Sequence, residues 1–155
     1  MQKLIDFATV ALMSLKAFLE QRSQTPGYSE SIRSTIESWK QATYRLLGRI
    51  EQQLEPYPQL DLQRRWVSLT EHSVRYGMER LEISFAEASI AVEPKGAFVP
   101  DSRGRVAMSC GAKLVLLDWV QRDEWTYRWS IPRRDDPPQP LTDAAIESLI
   151  EELLA

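Results

Sequence analysis

The 155-residue chain has one cysteine, one histidine and six glycines, and each scarcity removes a class of chemistry. Cys110 alone cannot form an internal disulfide, which points to a reducing, cytoplasmic setting. His72 is the only imidazole, so sites built on two histidines, including the common zinc and facial-triad arrangements, are excluded. The glycines at 27, 48, 77, 96, 104 and 111 are too scattered for a phosphate-binding loop or a dinucleotide fingerprint. Basic excess is lacking too. Pro138–Ala155 carries Asp143, Glu147, Glu151 and Glu152 and no base, and the rest of the chain is close to neutral, which disfavours non-specific binding to phosphate backbones. No apolar run reaches the roughly 20 residues of a membrane span. Asp6 and Lys16 interrupt the N-terminal one, and "FLEQRSQ" offers no small-residue cleavage site for an export signal.

What is present is the composition of a globular domain, 43% hydrophobic and 26% charged. A single α+β domain over 1–155 is expected: a mainly helical part at 1–80, a β-meander at 81–132, a proline-rich linker at 133–140 and a C-terminal helix at 141–155. From Lys3 to Glu20, Leu4, Ala8, Ala11, Leu12, Leu15, Phe18 and Leu19 recur at helical spacing, and Ile5, Val10, Met13 and Ala17 widen the stripe beyond one face. Such a helix is central in a bundle or shared with another subunit. Pro26 and Gly27 read as a turn. A second helix, capped by Ser29 or Ser31, then carries the seam Ile32, Ile36, Trp39, Thr43, Leu46 and Ile50 to about Leu54. The two are expected to form an antiparallel hairpin, which Pro56 and Pro58 end. Leu60–Met78 satisfies a helical pattern through Leu62, Trp66, Leu69, Ser73 and Tyr76, although "RWVSLTEHSVRY" is rich in strand formers; a third helix is the expectation.

Beyond Leu81 the period changes to two. "LEISF", "ASIAVEP", "RVAMSC", "KLVLLDWV" and "EWTYRWSI" alternate as strands, with a parity switch near Ala86–Glu87 that calls for a bulge or a short turn. About five or six antiparallel strands follow from this. "LTDAAIESLIEELLA" has Thr142 as N-cap, Leu141 and Ile146 as a hydrophobic staple, and an apolar stripe of Ile146, Leu149, Ile150, Leu153 and Leu154.

Candidate binding residues gather around the last strand. Trp125, Tyr127 and Trp129 share one face, with Arg133 and Arg134 just beyond and Arg103 and Arg105 at a hairpin tip. Aromatics on a sheet face stack bases in binders of single-stranded nucleic acid, with arginines on the backbone. The competing reading is that a meander under helices has one face to fill, and these rings fill it. Cys110 and His72 are the only residues available for a thiol–imidazole pair. The chemistry therefore points to a non-enzymatic cytoplasmic interaction or assembly module. It is expected to self-associate through its N-terminal helices and to use no metal or cofactor; single-stranded nucleic-acid binding is the alternative.

Overall fold

The computed structural model describes residues 14–19 and 26–155. The chain divides into two units, Met1–Ile36 and Glu37–Ala155, and the division falls within a helix. The first helix of the expected N-terminal hairpin lies largely outside the described residues. Of that helix only the stretch at residues 14–19 is described; we call it α1, and its side chains are exposed. Helix α2 runs Pro26–Leu54. It begins at the proline that read as a turn, because a helix's first turn needs no N–H donor and proline's fixed φ suits that position. All six residues of its expected seam are buried.

Six long strands follow in an unbroken antiparallel meander, and a short one closes it. They are β1 (Asp61–Glu71), β2 (Val74–Phe85), β3 (Ala88–Gly96), β4 (Arg105–Cys110), β5 (Lys113–Gln121), β6 (Glu124–Ile131) and β7 (Gln139–Pro140). Their spatial order is their sequence order. Helix α3, Asp143–Leu154, ends the chain.

The third helix expected at Leu60–Met78 does not form. That stretch holds β1 and the start of β2, so the mainly helical part ends near Leu54 rather than at 80. Two physical reasons account for this. Trp66, Val67, Leu69, Thr70 and Val74 suit a pleated surface. The turn between the strands, His72–Ser73, contains no glycine, asparagine or proline to announce it, yet both residues hold positive φ (49° and 63°). The parity switch is resolved as a turn: Phe85 pairs with Ala88, and Ala86 holds φ 53°. The proline-rich linker is not free chain at its end, since Gln139 and Pro140 pair with Tyr127 and Thr126 and so enter the sheet.

One face of the sheet makes the core. Leu81 and Ile83 (β2), Ile90 and Val92 (β3), Val106 and Met108 (β4), Val115 and Leu117 (β5), and Trp125 and Trp129 (β6) alternate onto it. Ala42, Leu46, Leu47, Ile50 and Leu54 of α2 cover this face, together with Leu141, Ile146, Leu149, Ile150 and Leu153 at and within α3. Each of these side chains removes apolar area from water at roughly 25 cal/mol per Å², so the two-residue alternation of the strands and the seams of the helices are the same energetic fact.

Near the start of β4, the Trp39 indole of α2 lies directly on the Gly104 backbone. A Cβ there would sit 1.8 Å from the ring, so only glycine admits this contact. The α3 cap forms as expected: Thr142 Oγ1 accepts from the Ala145 N–H at 3.1 Å, and Leu141 and Ile146 are both buried. At the other end, Lys113 Nζ donates to the carbonyls of Glu152 (2.8 Å) and Ala155 (3.2 Å), satisfying groups that the helix cannot.

Candidate functional site

The aromatic strand divides by depth. Trp125 and Trp129 are buried, at 3% and 8% exposure, and belong to the core; Tyr127 is half-buried against it. Alternation places all three on the core side, and cross-strand pairing of Val115 with Trp129 and Leu117 with Tyr127 locks them there. Rings held this way contribute to folding first.

The four arginines separate. Arg103 donates to the Val120 carbonyl (3.1 Å) and lies 5.6 Å from the Trp119 ring. Arg105 pairs with Asp118 across β4 and β5 at 2.8 Å, half-buried. Arg133 is exposed. Arg134 lies over Trp129, 4.6 Å from the ring centroid, and 3.7 Å from Glu152 of α3. Three of the seven expected binding residues, Tyr127, Trp129 and Arg134, therefore meet. They line a cleft of about 310 Å³ with Asp136, Gln139 and Glu152. Arg128 lines it as well, and Arg134 is already opposed by the Glu152 carboxylate. Arg103 and Arg105 belong to the opposite end of β4 and β5 and do not join it.

The thiol and the imidazole are not brought together either. His72 sits in the β1–β2 turn, edge-on to Phe98 at 4.4 Å. Cys110 closes the far end of β4, where it pairs with Lys113.

Two features escaped the sequence reading. The first is a cleft of about 750 Å³ between the end of α2, the β2–β3 turn and α3. Leu54, Leu60, Phe85, Ile150 and Leu154 make it apolar, and Glu147 and Glu151 stand on its walls. Tyr57 donates its hydroxyl to Glu147 there. The hydrogen bond to Glu147 and that residue's charge hold the Tyr57 phenol above its ordinary pKa. No local motif encodes this cleft, because its walls come from three separate parts of the chain.

The second feature is a carboxylate hub at the β1–β2 hairpin end. Glu71 accepts from the Tyr76 hydroxyl and from the backbone N–H groups of Ala97 and Phe98, both at 3.0 Å. Gly96 makes room for it, since a Cβ at that position would lie 2.4 Å from Glu71 Oε1. Burial, followed by the hydrogen bond and charge of Glu71, pushes the Tyr76 phenol well above its ordinary value. The hub ties the hairpin tip to the chain beyond β3.

Along β1, Arg64 pairs with Glu51 and Glu79, and Arg65 with Glu82 at 2.6 Å. The Arg65 hydrogen bond lowers the pKa of Glu82, with Arg80 adding to the effect. Among the described residues, no helix is long and apolar enough to cross a membrane. No family model, curated protein or solved structure matches the chain.

Proposed function

We propose that this protein is a non-enzymatic assembly module that associates with copies of itself, with its N-terminal helical segment as one contact surface. The observation that carries this reading is the exposure of Leu15, Phe18 and Leu19, at 58%, 52% and 56%. Spaced by three and four residues, they share one helix face, and large apolar side chains grouped at such exposure mark interaction surfaces. The half-buried single Cys110 supports a cytoplasmic site of action.

Multi-angle light scattering across a concentration series tests the reading. A dimer or higher species is expected, and a combined Leu15→Ser and Leu19→Ser variant is expected to shift it toward monomer. A strict monomer at high concentration overturns the proposal.

The alternative, binding of single-stranded nucleic acid, has less support. Two of its three rings are buried, and Arg105 and Arg134 lie beside carboxylates. Tryptophan quenching by an oligonucleotide at low salt would restore it.

A further inference from the structure

Among the described residues, the first strand of the sheet has one side of its backbone unpaired along its whole length. Its one strand neighbour there is β2, in unbroken register from Asp61↔Ser84 to Glu71↔Val74. Because His72 and Ser73 form a two-residue turn with positive φ at both positions, Glu71 and Val74 are a hydrogen-bonded pair. That sets the phase of the strand. Glu71, Leu69, Val67, Arg65, Gln63 and Asp61 direct their N–H and C=O groups to β2; Thr70, Ser68, Trp66, Arg64 and Leu62 direct theirs outward. Of the outward five, all but Leu62 are exposed.

Among the described residues, β1 lacks the breaks that commonly blunt an edge. No proline, glycine or bulge interrupts β1. Its arginines are drawn back to Glu51, Glu79 and Glu82 of their own chain. Trp66, 68% exposed, lies over Gly77 of β2, where a Cβ would come within 2.0 Å of the ring, so the indole rests on its own sheet.

We infer that β1 pairs antiparallel with β1 of a second copy, about a two-fold axis at Trp66; the inference rests on the self-assembly reading above. The strand is self-complementary in this register, which engages more of the outward residues than the neighbouring registers do. Trp66 faces Trp66 of the other copy, Arg64 faces Ser68, Leu62 faces Thr70 and Arg65 faces Val67, so no arginine opposes an arginine and the axis carries an aromatic pair. All five outward residues find partners, giving about ten main-chain hydrogen bonds at two for each pair. Moving the axis to Arg64 sets arginine against arginine. Moving it to Ser68 leaves Arg64 and Leu62 outside the pairing. Acid meets acid only at the ends, Asp61 against Glu71, and the Glu71 carboxylate is already occupied by Tyr76, Ala97 and Phe98. The interface is isologous, as two-fold symmetry requires, and joins two seven-stranded sheets into one.

Residue-resolved amide exchange at increasing protein concentration, with sedimentation velocity in parallel, tests this. In dilute protein the Arg64, Trp66, Ser68 and Thr70 amides exchange freely; they become protected as the dimer forms. Ser68→Pro removes one bridging N–H from each copy, and Trp66→Lys places two cations on the axis; each loses the concentration-dependent protection. If the dimer forms while all four amides still exchange freely in the wild type, the β1 pairing is overturned and self-assembly stands through another surface. If the protein stays monomeric throughout, both readings fall together.

Discussion

The two edges of the sheet are built on opposite plans. At the β1 edge, eleven residues run straight and uninterrupted, and the strand's ion pairs turn inward to its own chain. At the β7 edge, two residues suffice: Gln139 and Pro140 lie against Tyr127 and Thr126, and the Leu141 N–H then donates to the Trp125 carbonyl at 2.8 Å. Pro140 has no N–H to offer a further strand. Arg49 of α2 completes the closure, with bonds to the Leu141 carbonyl (2.7 Å) and Asp143 (2.9 Å). The chain thus finishes one edge with its own proline-rich segment, while the other has no further strand beside it among the described residues. Strand length and proline placement, more than hydrophobicity, separate a finished edge from an open one.

The comparison breaks most visibly at Leu141, the buried residue that turns the closed edge into α3. Leu141→Ala is expected to cost about 2–5 kcal/mol in denaturant unfolding, the range for a fully buried leucine. A loss under about 0.5 kcal/mol would mean that the edge is not anchored there. On the open side, Glu71→Ala strips an acceptor from Tyr76, Ala97 and Phe98, and about 1.5–3 kcal/mol should be lost, as for hydrogen bonds to a charged group. Loosening of the hairpin tip would show as faster amide exchange at Ala97 and Phe98, and unchanged exchange there would argue against the hub. The smallest effect is expected from pH. The Tyr76 phenol is held neutral above its ordinary value near 10, so its contribution is intact below about pH 10 and declines as the solution becomes more alkaline. Tyr76→Phe should flatten that alkaline decline. Equal slopes for the two proteins would remove Tyr76 as its source.

Much of this fold was legible in the residues, and the failures have physical causes. The Thr142 cap and the Leu141–Ile146 staple could be read because each is a local pattern with a local partner, and the Ile32-to-Ile50 seam because its helical period is visible whatever covers it. The burial of Trp125 and Trp129 followed from counting faces. β1 was missed because its turn uses His72 and Ser73 in place of the Asn-Gly or Asp-Gly pair that marks such turns, and because an edge strand wet on both faces lacks clean alternation. The candidate site was less legible. Tyr127, Trp129 and Arg134 do converge, but the Glu147 cleft and the Glu71 hub join residues far apart in sequence, and no spacing rule reports such meetings.

The sequential strand order also bears on how the chain reaches this state. Every strand lies beside its neighbours in the chain, and four of the connections are two-residue turns, so the sheet can zip from one hairpin to the next with short loops to close. Helix α3, by contrast, packs against β3 and β4 in the middle of the sheet and must wait for that surface to exist. Rapid hairpin growth followed by late docking of the C-terminal helix is the order this topology favours. Truncating α3 should then leave the early phase of refolding intact while abolishing the final gain in protection.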